Sequence, residues 1–236
     1  MIDGPVLVRE ALAAGIALQE VLVEPTGHDD LVAALGAHGV PVRFVVPDVL
    51  ARAVETTTPQ GVVAIADRLE VSVADAIAAA AGGPLALVLV DVADPGNAGT
   101  LLRAAEAAGA AAVLFCGASV DPSNPKCVRA SAGALFHLPV ASGGEAVSVL
   151  EGLGIANVRR VATVVRDGSP YDAVDLSGPV AVVLGSEAHG LPASLDHLVD
   201  DRLTIPMAGR GESLNVAMAG AVLCFESLRQ RRAAGA

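Results

Sequence analysis

The sequence has few aromatic residues and a deficit of positive charge. Aromatic side chains account for 2% of the 236 residues although 53% are hydrophobic, so the core must be packed from Ala, Val and Leu. The chain carries 26 acidic and 15 basic residues, for a formal net charge of -11. That balance argues against a generic polyanion binder, whose footprint would be a basic surface, but it leaves room for a local basic patch.

Signals for a disulfide framework, secretion or a membrane span are also missing. The three cysteines show no CxxC spacing, which indicates buried thiols in a reducing compartment and no metal site. Met1 is not followed by the charged and apolar segments that begin a secretory signal. The longest apolar run, residues 76–90, is interrupted at Gly82-Gly83-Pro84 and falls short of the roughly 20 residues that a membrane span needs. We therefore expect a soluble cytoplasmic protein without a membrane partner.

Residues 1–70 alternate between segments of helical and of strand character. The pattern predicts helices around 8–12 and 29–35 and strands over 20–23, 41–46 and 61–66, which together form a small α/β unit. Four arginines against ten acidic residues favour a dimerisation or lid module over a recognition domain, on composition alone. An Ala-rich helix over 72–81 ends at Gly82-Gly83-Pro84, so we place a linker at 71–83 and a second domain at 84–236.

The second domain is expected to be a parallel α/β sheet with helices on both faces. Continuous apolar runs at 85–90, 111–115, 161–165 and 180–184 are typical of strands that are buried on both sides. Segments of helical character lie between several of them, as βαβ connections require.

Three of the predicted strands end in unusual polar loops. The first, 94–99, precedes a helix predicted over 100–108. Asn97 in this loop could be the N-cap of that helix, and Arg103 is one of the few charged residues within the helix. The second, 184–191, carries Glu187, a candidate ligand contact, and His189, which on its own is more typical of a surface imidazole. Since the carboxyl ends of parallel strands meet at one edge of a sheet, these loops predict a shared ligand site.

The third loop joins a strand that ends at Ile205 to a long helix. Gly209 and Gly211 allow a tight loop there, and Ser213 is the predicted N-cap. The apolar residues at helical spacing, which we expect to face the core, are Leu214, Met218, Ala221, Phe225 and Leu228.

Phosphate-binding fingerprints are absent from all three loops. There is no GxxxxGK[ST] and no GxGxxG at the start of a βαβ unit, which argues against ATP and NAD and weakens a nucleotide-dependent oxidoreductase. A ligand held by backbone groups and by apolar residues such as Ile205 and Leu214 fits the loops better.

Taken together, the three loops resemble the signature motifs of the SpoU/TrmH family of RNA 2'-O-ribose methyltransferases, within the SPOUT superfamily. The matching text is DPGNAGTLLRAAEAAGA (94–110), VVLGSEAHGL (182–191) and IPMAGRGESLNVAMAGAVLCFE (205–226), in the family's order and spacing. The stretch PKCVRASAGA (125–134) is similar to the segment that connects the motifs, and residues 3–66 more weakly resemble the substrate-binding domain that often precedes them.

The resemblance implies a deep trefoil knot, S-adenosylmethionine as cofactor, and a homodimer with active sites at the subunit interface. The implied cofactor contacts are Leu184, Gly185, Ile205, Met207 and Leu214. The implied catalytic set is Asn97, Arg103, Glu187, Ser213 and Asn215. The basic residues in or beside the motif loops, where RNA could bind, are Lys126, Arg129 and Arg210.

The implied reaction is methyl transfer to a ribose 2'-hydroxyl of RNA. The two-domain layout favours ribosomal RNA; transfer RNA and a non-catalytic RNA-binding assembly or resistance factor are the alternatives. Arg103 is the family's proposed base, but a guanidinium is effectively always protonated, so we hypothesise that Arg103 mainly holds phosphate and ribose. The second motif commonly has Gly where this sequence has Ala188, which would be strained if that position needed a positive φ.

Overall fold

Two β-sheets organise the chain. The computed structural model describes residues 1–54 and 59–235, and its N-terminal sheet has four strands in the order β1-β4-β2-β3. The strand β4 runs antiparallel to β1 and β2, and β3 runs parallel to β2. The elements of this unit are β1 (Ile2–Asp3), α1 (Pro5–Ala13), β2 (Leu18–Val23), α2 (Asp29–Ala37), β3 (Val42–Phe44), α3 (Pro47–Ala53) and β4 (Val62–Ala66).

The predicted small α/β unit is therefore confirmed, with two elements that the sequence analysis missed. Strand β1 is only two residues long, too short to show a period. Helix α3 begins at Pro47, whose fixed φ suits the first position of a helix, directly after the run 41–46 that was predicted as strand.

The predicted linker helix is present as α4 (Val73–Gly82). Its N-cap is Ser72, whose Oγ accepts a hydrogen bond from the Asp75 N–H at 3.1 Å. Ala76 and Ala80 on its inner face are buried in a cluster with strands of the second sheet. The helix therefore forms part of the layer that covers that sheet.

The second sheet has seven strands, all parallel, in the order β7-β6-β5-β10-β8-β11-β9. Strand β10 pairs with β5 on one side and β8 on the other. The strands are β5 (Leu85–Val90), β6 (Ala112–Cys116), β7 (Val140–Gly144), β8 (Arg159–Thr163), β9 (Ser169–Pro170), β10 (Val180–Leu184) and β11 (Asp201–Thr204). The helices between them are α5 (Pro95–Ala107), α6 (Pro125–Ala130) and α7 (Ala146–Ile155), and α8 (Val216–Ala234) follows the last strand.

Helices cover both faces of this sheet, as predicted. Alternate residues of β5 show the two faces: Leu85, Leu87 and Leu89 pack in a cluster with residues of α5 and α8. Ala86, Val88 and Val90 pack in a second cluster with residues of α4 and α7. Every residue of β5 is buried, which explains why its sequence shows no alternation. The trefoil knot stays a prediction.

Helix α5 begins five residues earlier than predicted. Asp94 is its N-cap and accepts the Asn97 N–H at 2.8 Å, and Pro95 occupies the first turn. Asn97 therefore lies inside the first helical turn and is not the N-cap. The segment 94–99, predicted as a loop, is therefore mostly helical, and Gly99 lies at a crowded crossing with α6.

The predicted cap of α8 was wrong. Asn215, not Ser213, is the N-cap, because its Oδ1 accepts hydrogen bonds from the N–H groups of Ala217 at 2.9 Å and Met218 at 3.3 Å. One side chain thus satisfies two of the donors that a helix start leaves unpaired.

The predicted inner face of α8 was also wrong in part. Met218 is 63% exposed and Phe225 is 50% exposed. The residues that face inward include the small Ala217 and Gly220, and a Cβ on Gly220 would overlap the Leu101 side chain of α5. Close packing of α5 on α8 therefore requires a small residue at Gly220, while Met218 and Phe225 face outward.

The cysteines are buried, as predicted. Cys116, Cys127 and Cys224 are free thiols, and burial raises the pKa of each to about 12. Within the described ranges, no group of His, Cys, Asp and Glu side chains is arranged to hold a metal ion. In the same part of the chain, no helix combines the length and apolarity needed to cross a membrane.

Candidate functional site

A cleft of about 670 Å³ lies at the carboxyl ends of β8, β10 and β11. Its walls come from the strand ends, from the turn after β10 and from the loop before α8. This volume lies within the roughly 300–1,000 Å³ of small-molecule sites. The five predicted cofactor contacts, Leu184, Gly185, Ile205, Met207 and Leu214, all line it, whereas no described residue of the first motif loop, 94–99, does.

The turn after β10 is closed by backbone contacts. The Ser186 N–H donates to the Gly190 carbonyl at 3.2 Å, and the Gly190 N–H donates to the Ser186 carbonyl at 2.9 Å. Gly185 lies under this turn, and a Cβ there would sit 2.6 Å from the Gly190 oxygen. Only glycine fits at position 185 without opening the turn.

Ala188 occupies the tip of this turn without strain. The positive φ of the turn is at Gly190, at 67°, and Ala188 is not among the described residues with positive φ. The departure from the family's usual glycine is therefore compatible with the backbone seen here.

Three polar residues from the three motif loops form one hydrogen-bonded chain. The Asn97 side-chain amide donates to Glu187 Oε1 at 2.9 Å, and the Asn215 amide donates to Asn97 Oδ1 at 3.0 Å. The Asn215 oxygen is already committed to the start of α8. Each amide is thus held in one orientation by its neighbours, so the chain is a fixed polar array beside the cleft.

Glu187 is held as a carboxylate. Partial burial works against ionisation, but the Asn97 amide and the backbone N–H groups of Glu187, Asp94 and Ala93 outweigh it, so the pKa lies below its ordinary value. A second carboxylate, that of Glu212, also lines the cleft together with Ser213. The cleft therefore offers negative charge, backbone groups and apolar surface, which suit a cationic ligand with an apolar body.

Arg103 lies elsewhere on the same helix as Asn97. It is exposed, is not among the residues that line the cleft, and has no hydrogen-bond or ion-pair partner within the described ranges. The structure thus brings four of the five predicted catalytic residues to the cleft or to the hydrogen-bonded chain beside it, and leaves Arg103 on the outer surface of α5.

The three predicted RNA-binding residues lie in three different settings. Lys126 is exposed on α6, with Nζ 3.6 Å from Asp94 Oδ2. Arg210 is exposed in the loop before α8 and is unpaired within the part of the chain that the structure describes. Arg129 is turned toward the N-terminal unit, where its Nη1 lies 3.7 Å from Asp3 Oδ2.

The sequence analysis missed one wall of the cleft. Thr163, Val164 and Val165, at the end of β8, line it, as does the ion pair of Arg202 and Asp196 at 2.8 Å. The signal that could have found this wall is the strand itself, because β8 was predicted and its carboxyl end had to reach the same sheet edge.

Models of known families match almost the whole chain. Residues 84–225 match the SpoU rRNA Methylase family, and residues 1–72 match the domain described as RNA 2'-O ribose methyltransferase substrate binding. The resemblance drawn from the three motifs is therefore confirmed.

Named relatives agree with that match. The chain is 33% identical to the 23S rRNA (guanosine(2553)-2'-O)-methyltransferase RlmP of Bacillus subtilis over 95% of this chain and 86% of that protein. Among solved structures, it is 31% identical to the AdoMet-bound rRNA methyltransferase of Sinorhizobium meliloti, with a TM-score of 0.83 over 96% and 85% of the two chains. The AdoMet complex of the SpoU methyltransferase AviRb of Streptomyces viridochromogenes gives 26% identity and a TM-score of 0.86 over 98% and 90%.

Proposed function

Because this chain belongs to the SpoU rRNA methylase family, we propose that it transfers a methyl group from S-adenosylmethionine to a ribose 2'-hydroxyl of ribosomal RNA. The observation that carries the proposal is the hydrogen-bonded chain Glu187–Asn97–Asn215, which joins all three motif loops beside the cleft. The B. subtilis relative is named for the same reaction on 23S rRNA. With this substrate the protein acts in the cytoplasm.

The cleft fits the methyl donor by its chemistry. S-adenosylmethionine supplies an electrophilic methyl group on a positively charged sulfonium. Leu184, Gly185, Ile205, Met207 and Leu214 would hold it through apolar surface and backbone groups, and the carboxylates of Glu187 and Glu212 complement its charge.

The protein's own task is to orient the ribose and to help remove the proton of its 2'-hydroxyl. A methyl group that is already activated needs a 2'-hydroxyl held in line with it, and correct placement alone supplies much of the rate. The amides of Asn97 and Asn215 are pre-oriented for such contacts, because each is fixed by a hydrogen bond to the next residue of the chain.

Arg103 belongs to this proposal as a residue donated across a homodimer. It lies outside the cleft of its own chain, and α8, which packs on α5, exposes the apolar side chains of Met218 and Phe225. Large exposed apolar residues mark interaction surfaces, and a second copy of the chain is the partner that the family resemblance implies. In this arrangement Arg103 holds RNA phosphate and ribose at the partner's cleft.

Mixed dimers test that placement. Arg103→Ala and Asn215→Ala chains are each expected to be inactive alone. After co-refolding, a mixed dimer has one cleft with an intact Asn215 that receives an intact Arg103 from the other chain, so activity returns. No recovery in verified mixed dimers would mean that Arg103 serves its own chain. Arg103→Lys separates roles further: near-normal RNA affinity with abolished turnover would count against positioning.

The reaction is tested directly with labelled S-adenosylmethionine. Purified protein is incubated with deproteinised ribosomal RNA and, separately, with transfer RNA, and 2'-O-methyl sites are mapped. We expect one ribosomal site. Labelling confined to transfer RNA would change the substrate, and cofactor binding without any labelling would favour a non-catalytic RNA-binding factor.

A further inference from the structure

Two neighbouring loops brace each other at the carboxyl edge of the larger sheet. The β5–α5 loop, residues 91–94, leads from the end of β5 to the start of α5, and a second loop follows the adjacent strand β6. In the second loop, the Val120 N–H donates to the Val92 carbonyl at 3.0 Å. Its Ala118 N–H donates to Asp91 Oδ1 at 2.7 Å. Direct hydrogen bonds therefore tie the path of the β5–α5 loop to its neighbour.

Ser119 makes the most central of these contacts. Its Oγ accepts the Val92 N–H at 3.1 Å. The hydroxyl in turn donates to the carbonyl groups of Leu89, at 2.9 Å, and Cys116, at 2.8 Å. Val92 is fully buried, and among the described residues its N–H has no other partner. A buried N–H without a partner is costly, so without the Ser119 hydroxyl the loop must move until this group finds another acceptor.

The backbone of the β5–α5 loop is strained where it leaves the sheet. Asp91 has a φ of 56°, in the left-handed region that residues other than glycine seldom adopt. Such a conformation persists only where the surrounding contacts over-determine it. The hydrogen bonds from the loop after β6 supply those contacts, so their loss would let the β5–α5 loop relax to a different path.

The same loop sets the start of α5 and thereby the place of Asn97. Asp94, the last residue of the loop, caps the helix by accepting the Asn97 N–H at 2.8 Å. The Asn97 side chain then contacts Glu187 at 2.9 Å and Asn215 at 3.0 Å. A displacement of about 1 Å at Asn97 would take such contacts beyond hydrogen-bonding distance. The array beside the cleft therefore depends on where the β5–α5 loop runs.

From these contacts we propose that Ser119 is a positioning residue for methyl transfer: by holding the Val92 N–H, it fixes the β5–α5 loop and with it the place of Asn97 in the hydrogen-bonded chain. The consequence for turnover rests on the proposed function, whereas the geometry does not. Ser119 is not among the residues that line the cleft, so its effect on the reaction passes through the loop.

The test compares Ser119→Ala with the conservative Ser119→Thr, which keeps a hydroxyl at this position. The matched control is Ser72→Ala, because the Ser72 Oγ also accepts a backbone N–H at 3.1 Å but caps α4, outside the three motif loops. An NMR titration of the isotope-labelled Glu187 carboxyl carbon reports the hydrogen-bonded chain in the free protein. Calorimetry with S-adenosylhomocysteine reports the cleft, and methylation of ribosomal RNA gives kcat and KM.

In Ser119→Ala the pKa of Glu187 should rise, because partial burial, which favours the uncharged acid, is opposed by fewer donors once the Asn97 amide moves away. S-adenosylhomocysteine affinity should not change, since no residue of the β5–α5 loop lines the cleft. We expect kcat to fall by about tenfold with little change in KM, since a misplacement of about 1 Å can slow an enzyme by up to about a hundredfold. Ser119→Thr should restore the pKa and kcat, and Ser72→Ala should keep both.

The proposal is overturned if the pKa of Glu187 in Ser119→Ala equals that of the wild type, whatever happens to kcat. Failure of Ser119→Thr to restore the pKa and kcat would also overturn it, because the hydroxyl would then not be the group that matters. Absence of methylation by the wild type would refute the proposed function alone, because the titration of Glu187 needs no turnover.

A second pair of variants carries the comparison if Ser119→Ala fails to fold. Asp91→Gly adopts a φ of 56° without strain and removes the oxygen that accepts the Ala118 N–H, so it should raise the pKa of Glu187 and lower kcat in the same way. Asp91→Asn keeps an acceptor oxygen and tolerates the left-handed region, so it should resemble the wild type. A wild-type pKa and kcat in Asp91→Gly would contradict the proposed role of the loop.

Discussion

Gly185→Ala is the substitution that we expect to disturb the backbone of the cleft most directly. The new Cβ would lie 2.6 Å from the Gly190 oxygen and closer still to the backbone of Gly190 and Leu191. Optimal carbon contacts are about 3.5–4.0 Å, so the turn must open by roughly 1 Å. No side-chain rotation relieves the overlap, because all three neighbouring atoms belong to the backbone.

The size of the effect follows from two losses. Overpacking of this kind costs about 1–3 kcal/mol. Opening also strains the paired hydrogen bonds between Ser186 and Gly190, which adds about 1 kcal/mol. Every 1.4 kcal/mol is a factor of ten, so a total of about 2–4 kcal/mol weakens S-adenosylmethionine binding by roughly 30- to 700-fold if binding needs the closed turn.

Isothermal titration calorimetry with S-adenosylmethionine measures this loss, and thermal unfolding checks that the fold survives. Gly178→Ala is the control, since it adds the same methyl group to a loop where nothing lies within 4 Å of the new Cβ. The control should bind as the wild type does. Wild-type affinity in Gly185→Ala, at an unchanged melting temperature, would refute the claim that the closed turn shapes the cofactor site.

Three further predictions concern α8, Glu187 and the thiols. Asn215→Ala should lower the free energy of unfolding by about 0.5–2 kcal/mol in urea titrations, while Ser213→Ala, which removes no cap, should not. The folded-state pKa of Glu187 is lowered. Its contribution to stability is therefore present above the ordinary glutamate pKa and is lost as the pH falls through the folded-state pKa. Glu187→Gln should abolish this loss of stability at acid pH, as measured by unfolding curves. Thiol reagents at about pH 8 should label the native protein poorly and label all three cysteines after denaturation, because burial raises each pKa to about 12, whereas rapid native labelling would contradict that burial.

The central strands of the larger sheet could be predicted because burial on both faces leaves a plain signature, whereas β7 and β9 were not predicted. Runs such as 85–90 and 180–184 are uninterrupted and apolar, and both became central strands. The carboxyl-edge rule also predicted that the three loops meet, and hydrogen bonds from Asn97 to Glu187 and from Asn215 to Asn97 join them beside the cleft. The rule needs only strand direction, and direction follows from the helices between strands.

Helix starts and faces were harder because they depend on neighbours. Asp94-Pro95 is a strong start signal, but 94–99 was predicted as a loop, and the packing of Gly99 against α6 exists only in the folded chain. The outward turn of Met218 and Phe225 follows from how closely α5 approaches α8, a distance that no periodicity encodes. Likewise, nothing local to Arg129 announces that its partner is Asp3.

The construction of the site depends on close backbone approach. At Gly99, Gly185 and Gly220 a single added methyl group would collide with a neighbouring element, so these crossings tolerate no bulk. Because the elements approach so closely, side chains as short as those of Asn97 and Asn215 can bridge three loops. The polar array therefore depends on residues that take no part in it, and enlarging any of these glycines should separate Asn97, Glu187 and Asn215 without altering one of their polar atoms.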